Sequence, residues 1–158
     1  MSEKRFDVAA LGELLIDFTD NGLSGQGNTL FEANPGGAPC NVLAMLKKLG
    51  RSCAFAGKVG DDLFGHQLRG VAEAAGICMD YLTMDKETRT TLAFVKKLSN
   101  GDRDFSFYRN PGADMMLAEE ELPFALLADC RVFHFGTLSM THEGVRRATC
   151  KAIDYARA

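Results

Sequence analysis

Short apolar segments and amphipathic segments alternate along the first 76 residues, and this alternation restricts the fold more than any other feature of the sequence. Residues 6–11 and 53–59 are mostly apolar runs, as in strands that are buried on both faces. A helical pattern that ends at a glycine, Gly50 or Gly76, comes after each run. Strand, helix, strand and helix in succession are typical of a parallel sheet. The sequence therefore predicts an α/β fold, a parallel sheet with flanking helices.

Both helical patterns carry a signal at their start and an apolar stripe along one side. Pro39 suits the first turn of the first helix, where its missing N–H costs nothing. Asp61 or Asp62 precedes the second helix, and a carboxylate there is predicted to cap the helix rather than to take part in catalysis. The stripes predicted to face the sheet are Val42, Leu46 and Leu49 in the first helix and Phe64, Leu68, Val71 and Ala75 in the second.

Residues 20–37 and 90–108 interrupt the α/β pattern. The first segment is rich in Gly and Asn and is predicted to be a loop, with a short strand near residues 30–31. In the second segment, two strand-like runs flank Asn100-Gly101, a dipeptide that favours a tight hairpin turn. This antiparallel hairpin need not belong to the parallel sheet, and a flap over one end of that sheet is the alternative placement.

A third buried strand is predicted at residues 131–135, followed by a helix from about His142. His134 lies within this strand and is predicted to be a core histidine rather than a metal ligand. The residues predicted to face inward on the helix are Val145, Thr149, Ala152 and Ala156. Because a helix of this kind normally returns the chain to another parallel strand, we expect the 158 residues to be the first part of a longer fold.

Charge and cysteine content exclude several classes of partner. With 18 Lys+Arg against 21 Asp+Glu, the sequence offers no basic surface for nucleic acid or an anionic membrane. The apolar runs are too short to span a bilayer, and we expect no signal peptide. The five cysteines lack C-x-x-C spacing, which favours buried thiols in a reducing cytosol over a disulfide framework or a zinc site. We therefore expect a cytoplasmic protein without a metal site that binds neither nucleic acid nor membranes.

The strongest candidate for a ligand site lies at residues 34–41. Gly36 and Gly37 precede a helix N-terminus, where bare backbone N–H groups can approach a ligand, and Asn41 adds a two-sided polar side chain. This chemistry suits a polyhydroxylated or anionic ligand, although spacing alone is equally compatible with a plain loop that caps the helix. Asp17 is a lone carboxylate just beyond the first strand, where it either accepts hydrogen bonds from two sugar hydroxyls or faces solvent.

A second group of candidates lies on the hairpin. Phe105, Phe107 and Arg109 alternate and are expected to share one face. Arg109 either reaches a ligand from above or ends the strand in solvent. The sequence contains no Walker-type phosphate loop, and no G-x-G-x-x-G follows the first strand, which weakens an interpretation as a dinucleotide-binding oxidoreductase domain.

Several motifs together resemble the ribokinase-like (PfkB) carbohydrate kinase family, and the resemblance runs from residue 6 to residue 158. The matching motifs are Gly36-Gly37-Ala38-Pro39-x-Asn41, Leu49-Gly50 and Gly57-Lys58-Val59-Gly60-Asp61-Asp62-x-x-Gly65. Residues 88–95 and 107–115 further resemble the fructokinase branch of the family.

The resemblance implies a ribokinase-like fold, of which the chain forms the N-terminal part of one kinase domain. A small antiparallel β lid, with strands at about 14–35 and 88–115, would close over the sugar and mediate homodimer formation. The substrate-binding residues that the resemblance implies are Asp17, Gly36, Gly37, Asn41, Phe107 and Arg109. The reaction would be the phosphorylation of fructose to fructose 6-phosphate, with ATP and Mg²⁺ and with a monovalent cation as a further candidate cofactor.

The family's second signature, Asp-Thr-x-Gly-Ala-Gly-Asp, has no counterpart in the sequence. In the family it supplies the anion hole and the catalytic base, so we expect no catalytic residue, no ATP site and no strongly bound cofactor in the chain alone. Alternatives to fructokinase are 2-keto-3-deoxygluconate kinase, in which Arg109 would pair with a substrate carboxylate, and ribokinase or a nucleoside kinase. A non-catalytic fragment that binds sugars or dimerises is the alternative from a different class.

Overall fold

A computed structural model describes residues 3–97 and 101–158, which form two four-stranded β-sheets and their flanking helices. The strands are β1 (Phe6–Leu11), β2 (Leu15–Leu23), β3 (Thr29–Gly36), β4 (Cys53–Gly60), β5 (Cys78–Asp85), β6 (Leu92–Lys97), β7 (Arg103–Tyr108) and β8 (Cys130–Phe135). The α-helices of the described residues are α1 (Ala38–Lys48), α2 (Leu63–Ala74), α3 (Phe124–Ala128) and α4 (Glu143–Arg157), and short 3-10 helices span Ala113–Met116, Glu119–Glu121 and Thr137–Met140.

The first sheet has the strand order β5-β4-β1-β8, and all four strands run parallel. On one face, Leu43 of α1 and Leu68 of α2 pack in a single cluster with Phe55 of β4. On the other face, Val145 of α4 packs in a cluster with Leu11 of β1. Helices therefore cover both faces, as the nearly continuous apolar runs of β1 and β4 require. The predicted α/β fold with a parallel sheet is confirmed.

The two outer strands of this sheet differ from what the apolar pattern indicates. The alternation does not reveal β5, because this strand mixes apolar residues with polar ones such as Asp80 and has no continuous apolar run. The predicted third strand forms β8, but Val132 is exposed and His134 is only half-buried, so it is not a fully buried strand. Both strands lie at an edge of the described sheet, where one side lacks a neighbouring strand.

The helices bury different stripes from those predicted. Helix α1 buries Pro39, Cys40 and Leu43, whereas Val42 and Leu49 are exposed. The buried residues of the other two long helices are Gly65, Leu68 and Ala72 in α2 and Val145, Ala148, Thr149 and Ala152 in α4, so the predicted Val71, Ala75 and Ala156 are wrong. Small residues mediate these contacts: a Cβ added at Gly65 would lie 1.9 Å from the carbonyl oxygen of Gly60. Because the prediction relies on large apolar residues, each predicted stripe is rotated away from the face of the helix that is actually buried.

The second sheet, which we call the lid sheet, has the strand order β3-β2-β6-β7. Residues 29–36 form β3, so the short strand predicted near residues 30–31 is longer than expected, and residues 20–23 end β2. The predicted loop is wrong at both places, because a strand with exposed faces needs no apolar alternation. The hairpin β6–β7 is antiparallel as predicted, although Asn100 of its turn lies outside the described residues. The strands β2 and β6 pair in parallel, whereas β2–β3 and β6–β7 pair antiparallel, so the lid sheet is mixed rather than antiparallel.

The described cysteines are all free thiols, and Cys40, Cys53 and Cys130 are buried as predicted, whereas Cys150 is exposed on α4. Burial raises the pKa of Cys40 to about 11, so its thiol stays protonated at neutral pH. None of the helices in the described part of the chain combines the length and apolar character needed to cross a membrane.

Asp62 caps α2 as predicted and also ties it to the start of β6. Its carboxylate accepts hydrogen bonds from the backbone N–H groups of Phe64 and Gly65 and from Thr90. Partial burial raises the pKa of Asp62, but these hydrogen bonds outweigh burial and hold the pKa below its usual value. The ionised form therefore stabilises the fold at neutral pH.

We expect Asp62→Ala to lower the free energy of unfolding by about 1–2 kcal/mol at neutral pH. Because the pKa of Asp62 is lower in the folded state, its stabilisation is present above the unfolded pKa and is lost as the pH falls through the folded pKa. Urea unfolding in neutral and acidic buffer measures both effects. The control is Asp61→Ala, since among the described residues the Asp61 side chain is paired only with the exposed His66. An equal loss in the two variants, or a difference that persists in acid, would contradict this role.

Candidate ligand-binding site at the edge of the parallel sheet

The strand order of the parallel sheet reverses at β1, since β4 and β5 lie on one side of it and β8 on the other. Ligands of open α/β sheets bind beyond the carboxyl ends of the strands at such a point. Here β1 continues into Gly12 and Glu13, and β8 continues into Gly136. A Cβ added at Gly136 would lie 2.6 Å from both Glu13 Oε2 and Pro39 Cγ of α1. The ends of β1 and β8 therefore meet the N-terminus of α1.

The glycine pair connects the lid sheet to this helix. Gly36 ends β3, and Gly37 is the N-cap of α1 with φ +115. A Cβ added at Gly37 would lie 2.4 Å from the carbonyl oxygen of Glu13, so both conformation and space restrict this position to glycine. The next residue, Ala38, donates its backbone N–H to Glu13 Oε1 at 2.9 Å. The glycine pair thus lies at the N-terminus of α1, where Glu13 already accepts the N–H of Ala38.

Asp17 lies on the lid sheet directly against this glycine pair. A Cβ added at Gly36 would lie 2.2 Å from Asp17 Oδ2, so the carboxylate occupies the space that a side chain would need. Within the described residues, no group donates a hydrogen bond to this half-buried carboxylate. Burial raises the pKa of Asp17, although the positive charge of Arg103 acts to lower it. Two carboxylate oxygens are therefore available to an incoming hydroxylated ligand.

Strand register places Phe107 on the same face as Asp17. Asp17 pairs with Asn34 of β3 and Ala93 of β6, and Ala93 pairs with Phe107 of β7, so the four side chains form one row across the lid sheet. In the next row, Thr19 accepts a hydrogen bond from Asn34, and Phe105 stacks on Phe107 with ring centroids 6.0 Å apart. We call this surface the polar face of the lid sheet, and it presents an acid, an amide and exposed aromatic rings together.

Asn41 lies in the first turn of α1 with an exposed side chain. It lines a cavity of about 70 Å³ with Gly36 and with apolar residues of α1 and α2, and Asp17 is not part of this lining. The structure thus places Asp17 and Asn41 next to the same glycine but does not bring them into that one cavity.

Arg109 is neither free nor in solvent. Its Nη2 and Nε atoms donate to Asp114 Oδ2 at 2.6 and 2.8 Å, and its Nη1 donates to Thr141 Oγ1 at 3.1 Å. A fourth, longer contact of 3.4 Å joins Nη2 to the carbonyl oxygen of Leu138. Arg109 therefore ties the end of β7 to the segment that follows β8, and the interpretation as a solvated strand end is wrong.

Sequence reasoning missed two buried acids near this site. Glu13 is 4% exposed, its Oε2 has no partner among the described residues, and burial raises its pKa. Asp114 accepts a hydrogen bond from Thr91 Oγ1 at 2.5 Å in addition to those from Arg109. A signal for Glu13 was present, because a charge directly before the apolar Leu14-Leu15-Ile16 run must find a partner or change its pKa.

Comparison with known proteins gives one consistent family. The profile of the pfkB family of carbohydrate kinases matches residues 5–158. A fructokinase from Solanum tuberosum is 44% identical over 152 residues, which are 95% of this chain and 48% of the relative. The chain thus spans about half the length of the curated relatives it matches.

Solved structures agree with this result. A fructokinase from Xylella fastidiosa superposes with a TM-score of 0.89 at 33% identity, over 96% of this chain and 47% of the neighbour. The same organism's fructokinase with bound ATP superposes with a TM-score of 0.88 at 32% identity, over 96% of this chain and 49% of that one. The predicted ribokinase-like fold is therefore confirmed.

Proposed function

This chain belongs to the pfkB family of carbohydrate kinases, and we propose that it forms the sugar-binding half of an ATP-dependent fructokinase. The observation that carries the proposal is the position of Asp17. Its carboxylate has no hydrogen-bond donor among the described residues and lies against Gly36, beside the N-terminus of α1. Such an arrangement suits a ligand that offers adjacent hydroxyl groups as hydrogen-bond donors to the carboxylate.

In this proposal each site residue has a separate role. Asp17 accepts hydrogen bonds from two sugar hydroxyls, and the backbone of Gly36 and Gly37 lets the sugar ring approach closely. Asn41 and Arg109 offer further polar contacts, and Phe107 packs against the apolar side of the ring. The lid sheet closes over the bound sugar and excludes water, which would otherwise compete with the sugar for the phosphoryl group.

The phosphoryl donor in the proposal is ATP, as in the related structure that holds it. ATP with Mg²⁺ supplies the phosphoryl group and the charge compensation for its transfer. Within residues 3–97 and 101–158, no three acidic, histidine or cysteine side chains are grouped to hold a metal ion. We therefore assign none of these residues to Mg²⁺ or to a monovalent cation, and the role of this chain in the proposal is to bind and orient the sugar.

Fructose is the proposed acceptor because the curated relatives that match the chain are named fructokinases. We propose the cytoplasm as the site of action, since free thiols persist in reducing compartments. The test is a phosphorylation assay of the full-length protein, by which we mean the complete product of the reading frame that encodes residues 1–158. We expect the highest kcat/KM with fructose, compared with ribose and 2-keto-3-deoxygluconate. A higher value for either other sugar, or no turnover at all, would refute the assignment.

We also propose a homodimer through the face of the lid sheet opposite Asp17. On this aromatic face, Phe94 packs against Phe18, Phe31 and Tyr108 with ring centroids 5.0–5.3 Å apart. Phe31 remains 46% exposed and Tyr108 is exposed as well. An exposed cluster of aromatic rings is typical of an interface between proteins.

If this face joins two copies, Phe31→Ser should convert a dimer of the full-length protein to a monomer in sedimentation velocity, because it removes an exposed aromatic ring from the proposed contact. Phe31 is already exposed, so the fold should be unaffected. Met45→Gln changes an exposed apolar residue of α1 and serves as the control. A wild-type monomer, or dissociation by both variants, would contradict the proposed interface.

A further inference from the structure

We infer that Asp114 restricts the acceptor site to neutral sugars, because it occupies the edge of Arg109 that would otherwise bind a carboxylate. The inference rests on the proposed function, since it concerns which acceptors the same site admits. In this role Asp114 affects specificity without contacting the sugar. It positions Arg109, which is proposed to contact the sugar, and neutralises its charge.

The geometry of the Arg109 guanidinium limits which groups it can bind. A guanidinium has five N–H groups, and its strongest interaction with an acid is a pair of parallel hydrogen bonds from one edge. In this chain the Nε and Nη2 edge of Arg109 is directed at Asp114 Oδ2, with distances of 2.8 and 2.6 Å. The remaining contacts to Leu138 and Thr141 leave one Nη1 hydrogen without a partner among the described residues. One hydrogen can serve a hydroxyl, but it cannot form the paired bonds that an acid requires.

Asp114 cannot easily move away from Arg109. Its side chain is 3% exposed and that of Arg109 is 11% exposed, so the pair is shielded from water. Thr91 holds the other carboxylate oxygen at 2.5 Å. Gly112 packs tightly beside the pair, since a Cβ added there would lie 1.8 Å from Thr91 Oγ1 and 2.8 Å from Asp114 Oδ1. A substrate carboxylate would have to displace an internal one that is held on both oxygens.

The charges around Arg109 also disfavour an acidic ligand. Glu13 is buried nearby, since the charges of Asp114 and Arg109 both influence its pKa. Two buried acids, Asp114 and Glu13, thus lie close to a guanidinium that is already paired, and an acidic sugar would meet like charge there. A neutral sugar meets no such repulsion.

The test compares KM for fructose with KM for 2-keto-3-deoxygluconate, an acidic sugar, in the full-length protein and its variants. In Asp114→Asn, Arg109 loses its ionised partner while the size of the side chain is kept. We expect the ratio of KM for the acid to KM for fructose to fall about tenfold or more. Adding Arg109→Gln to this variant should abolish the gain, because the guanidinium that Asp114→Asn frees for the acid is then absent. Glu73→Gln removes the acidic partner of Arg69 in an exposed pair on α2 and should leave the ratio unchanged.

The outcomes separate this inference from the proposed function. Wild-type protein that does not use fructose refutes the proposed function. Wild-type protein that uses fructose, with an unchanged KM ratio in a folded Asp114→Asn variant, overturns the inference alone. If that variant does not fold, the wild type decides, since we expect its KM for the acid to exceed its KM for fructose about tenfold or more. Equal KM values in the wild type would overturn the inference.

Discussion

Replacing Asp17 with asparagine should lower kcat/KM for fructose by about 100-fold or more, since two charge-assisted hydrogen bonds contribute about 3 kcal/mol or more together. The amide has almost the same size as the carboxylate, but it has one acceptor oxygen instead of two. The measurement is steady-state phosphorylation by the full-length protein. Asp20→Asn is the matched control, because Asp20 lies on the same strand with its exposed side chain on the opposite face.

The same substitution should not weaken the fold. Burial raises the pKa of Asp17, so the ionised carboxylate costs stability above the folded pKa, and that cost disappears as the pH falls below the unfolded pKa. We therefore expect Asp17→Asn to unfold in urea at neutral pH at the same concentration as the wild type or a higher one. Unchanged activity, or lost activity together with lost stability, would contradict a binding role for Asp17.

Gly36→Ala should cause the second large loss. The added Cβ would lie 2.2 Å from Asp17 Oδ2 and 3.0 Å from Leu15 Cδ1, so the carboxylate must move away from the site. A displacement of this size at a binding group can reduce kcat/KM about 100-fold. Gly25→Ala is the matched control, because a Cβ at Gly25 meets nothing within 4 Å. Neither glycine has a positive φ, so the two variants differ mainly in the atoms that the added methyl group contacts.

A double variant shows whether Gly36→Ala acts through Asp17. The methyl group added at Gly36 acts by displacing the Asp17 side chain, so the effects of Gly36→Ala and Asp17→Asn on kcat/KM should not add. The double variant should therefore have a kcat/KM only slightly lower than that of Asp17→Asn alone. Fully additive losses, or a loss in Gly25→Ala as large as in Gly36→Ala, would show that the glycine pair is needed for another reason.

The parallel sheet could be predicted from the sequence because its central strands have a simple requirement. The strands β1 and β4 are buried on both faces, and only a continuous apolar run satisfies that condition. The strand β3 has exposed faces, so its Gly- and Asn-rich sequence resembled a loop. The helix stripes were rotated because Gly65 and Ala72 make contacts that a count of large apolar residues overlooks.

The candidate site could be predicted in part, for a similar reason. Gly36 and Gly37 stand out locally because two glycines before a helix let a ligand approach the backbone, although a plain loop that caps the helix has the same pattern. The pairing of Arg109 with Asp114 depends on how the chain turns at Gly112 and on Thr91, which comes from a different strand connection. The contact between Thr91 and Asp114 joins residues that are 23 positions apart in the sequence, so no local pattern could have indicated it.

A structure of the full-length protein with bound fructose tests the proposed cradle most directly. We expect two hydroxyl groups of the sugar within hydrogen-bond distance of the Asp17 carboxylate, with the ring against the backbone of Gly36 and Gly37 and beneath Phe107. Fructose bound elsewhere, for example in the small cavity between α1 and α2 with no contact to Asp17, would contradict the proposed binding site.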